Sequence, residues 1–131
     1  MSETALQRTG GGLTVFVALF LTMDAGGKLF APALMIANSP PLGLPADTGF
    51  HRMLGAILAG SLALYLIPRT ALLGAILLTG YLGEAVAAHA RVGSPLVSYT
   101  LFGVYLGLIL WAALWCRLPA LRTLIPLRLG E

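Results

Sequence analysis

Apolar residues in this chain come in four runs, parted by short breaks that carry proline, glycine or charge. The first, LTVFVALFLTMDAGGKLF at 13–30, follows a polar start and three consecutive glycines. A second runs over about 51–67 and stops at Pro68, since proline has no amide donor and turns the preceding residue away from helix. The third, TALLGAILLTGYLGEAVAAHA at 70–90, follows with almost no connection, so the second and third form a tight antiparallel hairpin around Pro68 and Arg69. A fourth covers about 98–116, after RVGSP and before Pro119. Each is close to the ~20 residues that a helix needs to cross hydrocarbon. The pattern predicts an all-α fold, an integral membrane four-helix bundle with antiparallel up-down topology in a single transmembrane domain over 1–131.

The connection at 31–49 is the only long one, and Pro32, Pro40, Pro41 and Pro45 keep it from being a fifth span. Pro32 suits the first turn of a short surface helix running through ALMIAN, with its apolar side over the bundle mouth as a cap. Asp47 or Thr48 then serves as N-cap of the second span. Arg8 before the first run and APA at 31–33 after it would suit a signal peptide, but Asp24 and Lys28 inside the run weigh against that reading. Small residues supply the packing: Gly103 with Gly107, Gly55 with Ala59 and Ala56 with Gly60, any of which also offers a face for a homo-oligomer.

Composition agrees with the runs. The 131 residues are 58% hydrophobic and 10% charged, against about 25% charged in a soluble domain, and the mean hydropathy is +0.90. Four spans leave no room for a soluble catalytic domain. The single cysteine, Cys116, excludes an intramolecular disulfide and any CxxC pair, so thiol exchange would need a second protein. A net charge of +3, spread singly between apolar runs, argues against nucleic acid and reads as an orientation signal. Arg8, Arg69, Arg117, Arg122 and Arg128 share one side of the bundle, Lys28, Arg52 and Arg91 the other, which predicts both termini in the cytoplasm and a multi-pass protein of the inner or plasma membrane. Tyr65, Trp111 and Trp115 fall near the inner ends of the spans, Phe30, Phe50 and Tyr99 near the outer ends, where amphipathic rings favour the interface.

In this frame seven side chains that hydrocarbon disfavours, Asp24, Lys28, His51, Arg52, Glu84, His89 and Arg91, gather toward the outer face. A charge at the centre of a membrane helix costs roughly 2.5 to 3.5 kcal/mol on insertion scales, so such groups turn to a partner or a wet cavity. Asp24 and Lys28 are four apart and share a helix face. Asp24 and Glu84 each stand six residues before the outer end of their span, which puts both carboxylates roughly 9 Å below it. His89, five residues from Glu84, points about 140° away and is expected to face a different neighbour. Three readings follow: a buried ion network that fixes helix register; a pocket in which Lys28, Arg52 or His89 binds an anionic or carbonyl-bearing molecule such as a quinone headgroup; or proton or small-solute transport through Asp24 and Glu84. Against transport, only Tyr81, Thr79 and Thr22 continue the polar series toward the middle. No HxxxH or ExxH spacing marks a metal site, and nothing supplies the oxyanion donor of a hydrolytic one, so neither metal nor catalytic residues are assigned.

The residues LYLIPRTALLGAILLTGYLGEAVAAHARVGSPL at 64–96 resemble the second half of the DoxX-like family of small bacterial and archaeal membrane proteins. The resemblance continues in FGVYLGLILWAALW and RLPALRTLIPLR, and DAGGKLF is similar to the family's aspartate and lysine at this spacing; the Pro-rich loop matches poorly. It implies a four-helix membrane bundle and, by distant kinship, a link to the small subunit of a thiosulfate to quinone oxidoreductase. The expected role is therefore an accessory or quinone-binding membrane subunit rather than an enzyme by itself, with a membrane redox partner as the alternative. Asp24, Lys28, His89 and Arg91 carry over from the family; Glu84 stands where relatives often have glycine, so it is read as this chain's own addition.

Overall fold

A computed structural model describes residues 2–38 and 42–127 of the chain. Pro40 and Pro41, which shaped the loop argument, and Arg128, which entered the charge count, lie outside the described residues. Six α-helices and one π-helical turn make up the described fold, with no strand among them. Helix α1, Glu3–Phe30, starts well before the apolar run because the Ser2 hydroxyl accepts from the amide of Ala5 at 3.2 Å and Glu3 in the first turn complements the helix dipole. The three glycines are thus inside the helix and not a boundary. Helix α2, Pro32–Asn38, is the short helix expected from Pro32. Asp47, not Thr48, caps α3, Thr48–Leu66, by accepting from the amide of Gly49 at 3.0 Å.

The hairpin at Pro68 leads into α4, Ala71–Arg91, and is tied by the Thr70 hydroxyl, which donates to the Leu64 carbonyl at 2.8 Å. At the far end of α4 the chain reverses through Gly93, whose φ of +69° only glycine adopts readily. There the amides of Gly93 and Ser94 return to the carbonyls of Ala90 and His89, a Schellman closure. The π turn, Leu96–Thr100, then opens α5, Phe102–Arg117, and α6, Pro119–Leu124, follows.

Four helices are long and apolar enough to cross a membrane: α1, α3, α4 and the continuous stretch Leu96–Arg117. Their outer surface settles the solvent. Val15, Leu19, Met23, Ile76 and Leu108 are each more than half exposed, an arrangement that water penalises and lipid tails do not. The protein is a multi-pass membrane protein.

Helices pack in a ring, α1 against α3 and α5, and α4 against the same two, so that α1 and α4 face each other across a diagonal. Val17, Leu21, Leu58, Leu78, Leu110 and Leu114 fill the middle. Tyr65, placed by its sequence position in an interfacial belt, is instead fully buried in this core. Its hydroxyl donates to the Leu110 carbonyl at 2.7 Å, and the Arg117 guanidinium lies 5.3 Å from its ring centre. A buried phenol needs such a partner.

Four glycines set how closely the helices approach. A side chain at Gly10 of α1 would meet Ala113 and Cys116 of α5, and one at Gly74 of α4 would run into the backbone of Tyr65 and Leu64 on α3. Both contacts lie at the end that carries α6. At the opposite end, a side chain at Gly55 of α3 would meet Lys28, Leu29 and the Ala25 carbonyl of α1, and one at Gly103 of α5 the Leu82 carbonyl and Val86 of α4. Each seam of the ring is therefore clamped at one end only. Where α2 sits, α1 is drawn to α3 and α4 to α5, and the space between these two pairs is left open. Gly60 and Gly107 have nothing within 4 Å and take no part in these contacts.

Candidate functional site

The space so created is a cavity of about 920 Å³, within the 300 to 1,000 Å³ range of small-molecule sites. Its walls come from α1, α3, α4, the π turn and α5, and α2 with residues 42–46 forms the roof. Five of the seven polar residues predicted from sequence line it: Asp24, Lys28, His51, Glu84 and His89.

Lys28 bridges the diagonal. Its ammonium lies 3.0 Å from Asp24, one helical turn away on α1, and donates to the hydroxyl of Tyr81 on α4 at 2.6 Å, with the tyrosine ring centre 5.2 Å away. The Lys28 and Asp24 side chains are 17% and 25% exposed, so the pair is mostly shielded and its charge is largely neutralised within the site. The lysine reaches back along α1 to its aspartate instead of standing free at the outer end.

Arg52 and Arg91 do not line the cavity. Arg52 is exposed and its Nε donates to the Leu29 carbonyl at 3.4 Å, while Arg91 donates from Nη2 to the Leu42 carbonyl at 2.9 Å. That second bond holds the roof. It is possible geometrically because Gly43, next in the chain, has φ +68° and leaves room where a side chain would come within 3.0 Å of the guanidinium.

On α4, Glu84 and His89 border the same cavity, contrary to the expectation that His89 faces elsewhere. The helix wheel explains it. Tyr81, Ala85 and Ala88 form the middle of the lining stripe, with Glu84 at one edge and His89, beside Leu82, near the other, about 140° away around a wide opening. His89 shares a 3.1 Å hydrogen bond between Nδ1 and the Ser94 hydroxyl, and its ring stacks on Tyr99 at 5.9 Å between centres. The Schellman turn presents Ser94 and the π turn presents Tyr99. Such turns recur at functional sites because the extra residue re-aims side chains.

His51 is the most enclosed of the set, 9% exposed in the first turn of α3. Its Nδ1 is buried without a hydrogen-bond partner, and the ring makes an edge contact with Phe50 at 5.8 Å. Glu84 is exposed, borders the cavity and forms no ion pair among the described residues. With Lys28 matched by Asp24, Glu84 is the acidic side chain at the cavity wall that has no ion-pair partner among the described residues.

Tyr81 is the site residue that the sequence reading left outside its polar set. Its position three residues before Glu84 and four before Ala85 puts it on the same helix face, a signal present in the spacing. Phe20, Tyr99 and Phe102 also line the cavity and carried no such signal, since exposed aromatic residues on a membrane helix are ordinary. Among the described residues, no three histidine, cysteine, aspartate or glutamate side chains gather as a metal site.

No curated protein and no solved structure matches the chain. The profile of the DoxX-like family matches residues 12–113, a stretch that reaches into all four spans and includes both halves of the Asp24–Lys28 pair and the Tyr81 to Arg91 face. With most of its length matched, the chain belongs to the DoxX-like family.

Proposed function

We propose that this protein is an accessory or small-molecule-binding membrane subunit whose cavity takes the polar head of a neutral, carbonyl- or hydroxyl-bearing molecule such as a quinone headgroup. The observation that carries this reading is His51, nine-tenths buried at the cavity wall with an unpartnered Nδ1. Leaving such an atom unpaired costs about 1 to 3 kcal/mol, which a bound oxygen or hydroxyl would offset. Tyr81 adds a second anchor: its oxygen accepts from Lys28, so its own proton is available to a ligand. The distribution of charge favours a neutral head over an anionic one, because neither Arg52 nor Arg91 lines the cavity and Glu84 does.

The excess of Arg8, Arg69, Arg117 and Arg122 at the other end supports an outward-facing cavity with both termini in the cytoplasm of a cell whose inner or plasma membrane holds the protein. Transport finds less support, since Leu58, Leu78 and Leu110 are fully buried below the cavity and the nearby Ser61 hydroxyl is turned back on the Ile57 carbonyl of its own helix. A second reading has an observation of its own. The Lys28–Tyr81 bond across the diagonal would fix helix rotation in a structural bundle that docks a redox partner.

Native mass spectrometry of gently extracted protein separates these. A small molecule retained by the wild type and lost from Ala85→Phe, which fills the cavity, is the expected result. A wild type that retains nothing, and whose melting temperature added decylubiquinone does not move, overturns the cavity reading and leaves the structural one.

A further inference from the structure

The seams around the cavity are not closed alike. The α1–α3 seam is clamped at cavity level by Gly55 against Lys28 and Leu29, and the α4–α5 seam by Gly103 against Leu82 and Val86. The α3–α4 seam has its glycine contact at the far end, at Gly74, and the Arg91–Leu42 bond ties the end of α4 to the roof segment, while Met35 of α2 lies against Gly27 of α1. The α1–α5 seam has its glycine contact only at the far end, at Gly10.

At cavity level that seam is closed by side chains alone. Phe20 of α1 and Phe102 of α5 meet with ring centres 5.0 Å apart at a tilt of 52°. Both line the cavity and are 38% and 39% exposed, and the adjoining Met23, also at the lining, is 78% exposed. A residue that borders an internal space and also faces lipid marks the wall between them. Here the wall is one aromatic pair, and rings of this kind turn aside by rotamer changes that are fast for exposed side chains.

Building on the cavity reading above, we infer that the ligand is a neutral-headed, single-chain amphiphile that enters from the bilayer between α1 and α5, with Phe20 and Phe102 as the gate. Its head lies among Tyr81, His51 and Glu84 and its chain leaves past Met23 into lipid. A cavity roofed by α2 and residues 42–46 and bordered laterally by partly exposed rings favours solutes already dissolved in the membrane. The unmatched Glu84 selects against an anionic head.

A test uses the full-length protein in phosphatidylcholine nanodiscs and hexadecanol carrying a diazirine midway along its chain. After irradiation and peptide mapping, adducts are expected on the inward residues Leu54, Ala85 and Leu106 as well as on the outward residues Leu19 and Leu108. Phe20→Ala and, separately, Phe102→Ala are expected to raise the inward share, and the matching fatty acid to label inward residues less than the alcohol does. Adducts confined to outward residues in the wild type and in both variants overturn the portal; equal inward labelling by acid and alcohol overturns the neutral head. The native mass spectrum of the same preparation keeps the two failures apart. A retained small molecule without inward adducts leaves the cavity reading standing and removes the portal, whereas neither removes both.

Discussion

An ammonium inside hydrocarbon is tolerated only with partners, and Lys28 has them in Asp24 and in the hydroxyl and ring of Tyr81. The spacing of four residues made the Asp24 half legible in the sequence, because it is local to one helix. The Tyr81 half lies 53 positions away and depends on how α1 and α4 face each other, which no local pattern encodes. The same holds for the two arginines: depth grouped Arg52 and Arg91 with the site, but a long side chain at a helix end is free to turn to the nearest carbonyl, and both do. Lys28→Met should leave Asp24 an unpaired, mostly shielded carboxylate and lower stability by about 1 to 3 kcal/mol. Adding Asp24→Asn should restore part of that loss, a sign that the pair's removal costs less than its breakage. Thermal unfolding of the two variants in detergent reads both outcomes, and a double variant worse than the single would contradict the account.

Among elements, the spans were legible as apolar runs bounded by Pro68, Pro119 and the polar loop, because burial in lipid leaves a composition signal along the chain. The π turn at Leu96–Thr100 was not, nor was the continuation of α1 back to Glu3, since each rests on hydrogen bonds. Which small residue clamps which seam was also undecided by spacing. Gly103 and Gly107 look alike in the sequence, yet only Gly103 meets a neighbour. Gly55→Ala would put a methyl 2.9 Å from the Lys28 Cβ, and this overpacking, about 1 to 3 kcal/mol, should outweigh the gain in helix propensity of about 1 kcal/mol. Gly107→Ala, with nothing within 4 Å, should be neutral to slightly stabilising. The opposite signs would be visible in paired melting curves.

Helix α6 is held by a different contact: Arg122 donates to both carboxylate oxygens of Glu3 at 3.0 and 2.8 Å, ahead of the apolar run in α1. That guanidinium, followed by the side chain of Gln7, holds the Glu3 carboxyl down from an ordinary value of 4.5 to about 2. A carboxylate with a depressed folded value adds stability above its unfolded value and loses it as the pH falls toward the folded one. Wild-type protein should therefore lose stability relative to Glu3→Gln between about pH 4.5 and pH 2, and the two should differ by a constant amount at higher pH. Melting temperatures across that range would check it; curves that stay parallel down to pH 2 would not fit.

At the scale of the molecule, clamping each seam at one end only gives a closed, leucine-filled half and an open, cavity-bearing half. The family match and the apolar surface place this arrangement in a membrane, and the proposed topology takes its direction from the arginines at the closed end. Pro45→Cys, exposed in the roof segment, made with Cys116→Ser so that it is the sole thiol, should react with a membrane-impermeant maleimide added to intact cells. Arg69→Cys, in the hairpin at the opposite end, should react only after the cells are opened. The reverse pattern would invert the proposed topology and turn the cavity mouth to the cytoplasm.

The sequence by itself determined the spans, their alternation, the family and the stock of ionisable groups near one end, because each of these is written in runs, spacings and composition along a single chain. Only the tertiary structure decided that Lys28 is claimed by Asp24 and Tyr81, that Arg52 and Arg91 leave the cavity, and that Phe20 and Phe102 meet at the cavity wall. Those outcomes depend on which helices touch and at which end. Four glycine contacts set that geometry, and a glycine's effect is exerted by the neighbour that approaches it.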